Sequence, residues 1–512
     1  MTRAAASRPG WRELAGLGAV MLVGFLPRAW RLGRPGLTSD EAFSWRLARY
    51  GLGEMLRRAA EDVHPPLYYV LLKPWLAMWG DAPEALRGLS LVLGLLVVPL
   101  AFVLVREAAR LDEPELARRV RAGALLAALL AALHATQVLQ SRNARMYALG
   151  TALALASSWL LLRAQRRGGW AWWAAWGLAA AVAVATHYYL AFTVAAQAAW
   201  LALARRQAPP PWRGMLGAAT VALASFAPWL PILWRQVRRV REEYWIPPAT
   251  MASLVQDVGR WAVGADLAPW VAAAAALAVV ASLAVAGWTS RAGRFLALQA
   301  TAPWILGLTV SVATGRPLVL ERCMVFAQAF LLCAWGVTMA RLPRATLRAA
   351  AAAVLVLAVA GGLLATVEAY PAAPPAMATV ARFLKRQGAE GDLAVVESPR
   401  ALNKLRYYAR QAQAAGLDIR CTLPERVPLA PHLSHVVSLA EGDAIAREAV
   451  FASGADTVWI GRESTGPAEP APVGWTITYA RIFEGAEGTR FALFRYQRSQ
   501  ATVPPARAPA AR

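Results

Sequence analysis

The sequence predicts an all-α polytopic membrane protein of about eleven transmembrane helices, followed by a small extracytoplasmic α/β domain. Three observations predict it. The 512 residues are 58% hydrophobic with a mean hydropathy of +0.39, too apolar for a soluble chain of this length. Arginines form short clusters between the apolar runs, so the net charge of +23 reads as a topology signal and argues against nucleic acid as a partner. Past Pro371, Pro374 and Pro375 the long apolar runs stop and short alternating segments begin.

A helix needs about 20 apolar residues to cross the bilayer core. Runs of that kind fall at 13–30, 84–105, 122–139, 146–163, 170–187, 188–204, 214–234, 269–288, 295–313, 322–340 and 348–367. The fifth and sixth nearly touch, so a tight turn at Thr186-His187-Tyr188 must separate them. No small-residue cleavage site follows the first run, which is therefore expected to be a retained span and not a signal peptide. Arg3, Arg8 and Arg12 precede it. Arg106, Arg110, Arg118, Arg119 and Arg121 follow the second run, Arg163, Arg166 and Arg167 the fourth, and Arg205, Arg206 and Arg213 the sixth. Cytoplasmic loops are the ones rich in Arg and Lys, so the N-terminus is expected inside. Loops 31–83, 140–145, 186–188, 235–268 and 314–321, and all that follows 368, are then outside.

The domain plan is a membrane domain over 1–370, an outer α/β domain over 371–498 and an unpatterned, disordered tail over 499–512. Within the outer loop 31–83, Glu41–Tyr50 and Gly53–Ala60 are expected as interfacial helices, with Trp45, Tyr68, Tyr69, Trp75 and Trp79 as headgroup-level anchors. Pro65-Pro66 forbids a continuous helix between them. Loop 235–268, with Arg235, Arg238, Arg239, Arg241, Tyr244, Trp245 and Trp261, reads as a second interfacial segment. In the outer domain, helices are expected at 377–387, 401–415 and 444–453. Strands are expected at 392–397 and 457–461, with a closing hairpin from 475–483 and 489–497. Tyr407 and Tyr408, beside Lys404 and Arg406, read as ordinary domain surface. The three scattered cysteines suggest no disulfide framework.

The chemistry gathers at the predicted outer rim. Leu37-Thr38-Ser39-Asp40-Glu41 sets two adjacent carboxylates just past the first span, where charge is costly and usually functional. Adjacent residues do not share a helix face, so Asp40 and Glu41 divide their work. A desolvated carboxylate gains basicity, while capping by Ser39 or Asp40 of a helix beginning at Glu41 is the structural alternative. His64, after Asp62 and before Pro65-Pro66, is a candidate for binding phosphate as imidazolium, for ligating a metal, or for a turn hydrogen bond. Tyr68 follows in the same motif. Arg142 and Arg145 share one helix face at the start of the fourth span, suited to phosphate or to snorkelling towards headgroups, and Tyr147 closes that motif. His187 and Tyr188 suggest a sugar-binding wall. Arg316, Glu321 and Arg322 open the tenth span as an ion pair or an anion-binding pair. No Gly-rich nucleotide loop, Walker lysine, paired CxxC or HExxH is present, which fits a lipid-linked donor at a face where nucleotides are scarce.

These residues carry a resemblance. Asp40-Glu41, then His64-Pro65-Pro66-Leu67-Tyr68-Tyr69 with Trp75, Gly80 and Arg87-Gly88-Leu89-Ser90, then Arg142 to Tyr147, then Thr186-His187-Tyr188-Tyr189 resemble the bacterial GT-C glycosyltransferases. These are related to the family 39 protein O-mannosyltransferases and to the lipid A aminoarabinose transferase. The likeness covers residues 10–345. It implies a GT-C fold in the bacterial inner membrane and transfer of a sugar from a polyprenyl-phosphate carrier, with inversion, to an envelope glycan, lipid or protein acceptor. It makes Asp40 the catalytic base, with Glu41 orienting it or holding an acceptor or cation. Arg142, Arg145 and Arg322 become the cations facing the leaving phosphate, and His64, Tyr68, Tyr147, His187 and Tyr188 substrate-binding residues. The aminoarabinose transferases have Glu-Lys before the two prolines; Val63-His64 stands here. That departure removes an acidic ligand, so no metal site is carried over, and no cofactor is assigned beyond an open question of a divalent cation. A lipid-linked glycan transporter or flippase and an O-antigen ligase-like enzyme are the competing readings.

Overall fold

The structure, a computed structural model, describes residues 10–112, 114–204, 212–242, 248–368, 370, 374–414, 416–423, 439–463, 467–485 and 490–499. Pro371, Tyr244, Trp245, the side chains of Arg239 and Arg241, and the expected tail beyond Ser499 lie outside them. Contacts divide the chain into two units: Met1–Gly33 with Ala48–Tyr370, and Arg34–Leu47 with Pro371–Arg512.

The first unit is helical, and each of the eleven apolar runs is helical over most of its length. Among the described residues, seven helices are long and apolar enough to cross a membrane: Pro83–Leu111, Tyr147–Arg167, Trp212–Arg238, Pro269–Thr289, Arg291–Thr314, Glu321–Arg341 and Ala345–Glu368. Trp170–Thr186 and Leu190–Ala204 are apolar but shorter, and Trp11–Ala29 carries Arg12, Glu13 and Arg28. The third expected run is not one straight helix. Val120–Leu133 and Ala135–Ser141 meet at 58°, because His134 leaves the helical region at ψ 122° and its buried ring reaches the Trp261 carbonyl at 3.1 Å.

Small residues set how closely these helices approach. A Cβ on Gly123 would fall 2.1 Å from the Gly336 carbonyl oxygen, and one on Gly336 2.4 Å from that of Gly123. This glycine pair brings Pro114–Leu133 and Glu321–Arg341 to backbone contact, as in other membrane helix pairs. From Cys323 on, the latter helix is buried along nearly all of its length, while Arg322 ahead of it is exposed.

Helix Leu67–Trp79 starts directly after Pro65-Pro66, with Pro66 as its cap; proline is at home at a helix start, where its missing N–H costs nothing. The expected aromatic anchors are corrected in part. Tyr68 and Tyr69 are fully buried and Trp45 is 2% exposed, because each packs or hydrogen-bonds inside protein. Trp79 is 64% exposed, and Trp75 donates to the Ala85 carbonyl at 2.8 Å. In the second expected interfacial segment, Met251–Val263 is a helix closed by a Thr250–Ser253 capping box.

In the second unit, β1 (Leu393–Val396), β2 (Asp418–Cys421), β3 (Thr457–Arg462), β4 (Trp475–Glu484) and β5 (Arg490–Arg498) form one sheet in the order β2-β1-β3-β5-β4. β2, β1 and β3 run parallel, while β5 is antiparallel to both β3 and β4. Leu393, Val395, Val458, Phe494 and Tyr496 bury one face with Ile445 and Val450. Helix Ala376–Gln387 sets Phe383 against Trp459, Tyr479 and Phe483. Helix Pro399–Gln411 begins at a Ser398 cap. The expected helix over 444–453 is corrected to a single 3-10 turn, Arg447–Ala449. Its apolar residues Ile445 and Val450 both bury in the sheet core, and their spacing of five does not suit one helix face. β2 has only four residues and was not anticipated.

Candidate active site

The carboxylate pair lies in the second unit, on helix Ser39–Arg49. The cap is neither Ser39 nor Asp40. Thr38 Oγ1 accepts from the Glu41 N–H at 3.2 Å, and Glu41 Oε2 accepts from the Thr38 N–H at 3.0 Å. This is a reciprocal capping box, legible in Thr38-Ser39-Asp40-Glu41 as the Thr-x-x-Glu pattern. Glu41 is 1% exposed and its carboxylate serves the cap. Asp40 is partly exposed, and its carbonyl accepts from Ser44 Oγ at 3.0 Å. The two neighbours therefore have different surroundings, as their side-chain directions require.

A polar cluster forms in the first unit. His64 Nδ1 lies 3.2 Å from Asp62 Oδ2, whose side chain is fully buried. Arg145 Nη2 lies 3.4 Å from His64 Nε2, and Arg145 Nη1 donates to Tyr69 Oη at 3.0 Å. Asp62 accepts from the Nδ1 N–H, and this turns Nε2 towards Arg145. Arg145 is 2% exposed, and its carbonyl accepts from Ser90 Oγ at 3.2 Å. Tyr68 hydrogen-bonds that same Ser90 hydroxyl at 2.8 Å, so Tyr68 is a buried support for the backbone at Arg145.

His187 joins the cluster from the turn after Trp170–Thr186. Its ring is 6.1 Å from that of His64 and 5.8 Å from that of Tyr147, centroid to centroid, and it leans on Phe326 at 5.2 Å. The Tyr189 N–H donates to His187 Nδ1 at 3.2 Å, which leaves Nε2 as the donor facing Cys323 Sγ at 3.9 Å. The guanidinium charges of Arg145 and Arg322 also bear on His187. His64, Arg145, Tyr147, His187 and Arg322 are thus brought together. The environment is cationic and aromatic, with one buried carboxylate, and suits an anionic group carrying a sugar.

Two expected residues are placed elsewhere. Tyr188 donates to Gln236 and accepts from Trp229 Nε1 at 2.8 Å, while Gln236 Nε2 donates to the Ala59 carbonyl at 3.0 Å. Arg142 donates to the carbonyls of Pro27, Arg28 and Trp30 at 3.0, 2.8 and 2.7 Å and lies over the Tyr370 ring at 4.1 Å. It satisfies carbonyls that the end of Trp11–Ala29 leaves without helical partners. Arg142→Gln is expected to destabilise the fold by about 2 kcal/mol or more, since hydrogen bonds to a charged donor are the strong ones. Denaturant unfolding in detergent checks this, and an unchanged midpoint would show that the clamp is dispensable.

Glu321 pairs with Arg260 at 2.6 Å, not with Arg316 or Arg322 as the sequence suggested. Arg260 also meets Asp257 at 3.6 Å. Burial pushes the Asp257 carboxyl from 3.8 up to about 6, with Glu321 adding to the rise and Arg260 opposing it. The folded state therefore binds the Asp257 proton more tightly than the unfolded chain. This favours folding below 3.8 and is lost as pH rises to about 6. Asp257→Asn should raise stability at pH 7.5 by about 1 kcal/mol after allowance for solvent screening, with the gain fading in acid. Thermal unfolding at pH 7.5 and at a pH below 3.8 checks it; equal shifts at both would contradict it.

Asp62, Tyr69, Cys323 and Phe326 are cluster members that the sequence reading did not select. Asp62 and Tyr69 stand in the same motif as His64 and were within reach; Cys323 and Phe326 carry no sequence signal beyond an apolar span. Among the described residues, no three His, Cys, Asp or Glu side chains group in a way that would hold a metal ion.

Residues 63–232 match the family model for dolichyl-phosphate-mannose-protein mannosyltransferase. ArnT from Cupriavidus metallidurans in the apo state is similar with a TM-score of 0.61 at 12% identity, over 94% of this chain and 97% of that one. Its form bound to undecaprenyl phosphate gives 0.63 at 12% identity, over 98% and 100%. The chain shares the fold of ArnT over nearly its whole length. The apo oligosaccharyltransferase of Archaeoglobus fulgidus is similar at 0.53 and 11% identity, over 80% of this chain and 64% of that one. No curated protein matches the sequence. The resemblance to GT-C proteins expected from the motifs is borne out, and the family match spans the His64, Arg145 and His187 motifs.

Proposed function

We propose that this protein transfers a sugar from a polyprenyl-phosphate carrier to an acceptor at the extracytoplasmic face, with inversion at the anomeric carbon. The observation that carries the reading is the Asp62–His64–Arg145 chain beside His187 and Arg322, within a GT-C fold. When the bond from the anomeric carbon to the phosphate oxygen breaks, the carrier phosphate gains a negative charge. Fixed cations favour that charge most in the transition state. Arg145 and Arg322 take this role, His64 orients Arg145 through its Nε2, and Tyr147 and His187 form the wall beside the sugar. Asp40 removes the proton of the acceptor hydroxyl as its oxygen attacks the anomeric carbon.

The apolar runs give about eleven spans, the charge pattern gives a cytoplasmic N-terminus and an extracytoplasmic C-terminal domain, and the likeness to ArnT supports the bacterial inner membrane. Among the solved neighbours, one form of ArnT is bound to undecaprenyl phosphate, which supports a polyprenyl carrier here. Purified protein incubated with a panel of polyprenyl-phosphate sugars and crude envelope acceptors tests the reading. A product of inverted anomeric configuration, free of any nucleotide requirement, is expected. Tight binding of the lipid donors with no transfer from any of them would favour a transporter.

A further inference from the structure

Segment 34–47 leaves the membrane unit at Gly33, returns to it at Ala48, and packs with the C-terminal unit. It is held at both ends. At its start, the Leu37 N–H donates to Tyr408 Oη at 2.7 Å, one residue before the Thr38 cap. A Cβ on Gly36 would come 2.7 Å from the Pro375 Cβ, so the chain passes there in close contact. At its end, Arg46 Nη2 reaches Asp443 Oδ2 at 2.7 Å, and the same carboxylate is gripped by Arg406 and accepts from the Ala440 N–H at 2.6 Å. Between these points the rings of Trp45 and Tyr407 meet nearly perpendicular, 5.3 Å apart between centroids. Ala42, Phe43, Trp45 and Leu47 are each at most 2% exposed.

An isolated helix of 11 residues is marginal in water. A reacting carboxylate must nevertheless be held to about 0.5 Å. We propose that the C-terminal domain positions the Asp40 helix, with Tyr408, Arg46 and Asp443 as its positioning residues. This rests on the reading of Asp40 as the base. It gives the domain a share in the chemical step, and it explains why Tyr407 and Tyr408 are buried when the sequence around them resembles a surface.

The test uses the full-length protein in detergent. Tyr408→Phe removes the hydroxyl that accepts from Leu37 and keeps the ring. Its kcat is expected to fall about ten- to a hundredfold, since small misplacements cost that much, with the donor KM changed by less than about twofold. Arg46→Gln should act in the same way, and Arg46→Lys should restore much of the rate by keeping a charge opposite Asp443. In an Asp40→Asn background, Tyr408→Phe should cost nothing further, because the group it positions is gone. Full kcat in folded Tyr408→Phe and Arg46→Gln, with Asp40→Asn inactive, would overturn the positioning role and leave the base reading standing. An equal loss from Tyr408→Phe in both backgrounds would also overturn it, assigning the tyrosine a general structural part. Wild-type activity in Asp40→Asn would remove the base reading and this inference with it. Should Tyr408→Phe not fold, the Arg46 pair decides alone.

Discussion

Asp40→Asn is expected to lower kcat by about a hundred- to ten-thousandfold, the range a positioned general base supplies, while donor binding is retained. The substitution keeps the size of the side chain and removes its ability to accept a proton. Glu41 cannot replace it, since its carboxylate closes the capping box with Thr38 and is buried. Glu41→Gln keeps an acceptor for the Thr38 N–H and so preserves the capping box; it is expected to lower the rate far less than Asp40→Asn. Initial rates of sugar transfer for the two folded variants check the pair. Equal activity of Asp40→Asn and wild type would move the base elsewhere; a dead Glu41→Gln beside an active Asp40→Asn would exchange their roles.

Arg145→Met should reduce kcat/KM for the lipid donor by about a hundred- to a thousandfold, the usual cost of removing a donor aimed at developing charge. The guanidinium bridges Tyr69 Oη and His64 Nε2 through two of its nitrogens. A lysine offers one ammonium and cannot hold both, so Arg145→Lys should recover little. Steady-state kinetics against donor concentration, together with direct binding of polyprenyl phosphate, separates ground-state from transition-state loss. A folded Arg145→Met with undiminished kcat/KM would exclude the arginine from the phosphate. The contrast with Arg142 is informative. Loss of Arg142 should appear first in stability, because its partners are carbonyls at the end of Trp11–Ala29.

Arg142 and Arg145 are alike in sequence, three residues apart in one motif, and the reading of the chain treated them alike. Their partners, not their spacing, separate them. One meets carbonyls more than a hundred positions earlier in the chain; the other meets His64 and Tyr69. The Asp40-Glu41 pair could have been divided from sequence, because Thr38-x-x-Glu41 is a local pattern with a local hydrogen-bond result. Tyr407 and Tyr408 could not. Flanked by Lys404 and Arg406, they resemble an exposed helix face until segment 34–47 is seen to cover them.

What the sequence determined by itself was the course of the apolar runs, the character change at Pro371–Pro375, most elements of the C-terminal sheet and the motifs that hold the site. These depend on hydrophobic length, periodicity and turn chemistry, all written within a few residues of one another. Tertiary structure alone decided the bend at His134 and the clamp made by Arg142. It also decided the assembly of Asp62, His64, Arg145 and His187, and the docking of the Asp40 helix on the C-terminal domain. Each of those rests on hydrogen bonds or buried contacts between residues distant in the chain. A side chain's local pattern offers a buried polar group several partners, and only the folded chain determines which one it meets.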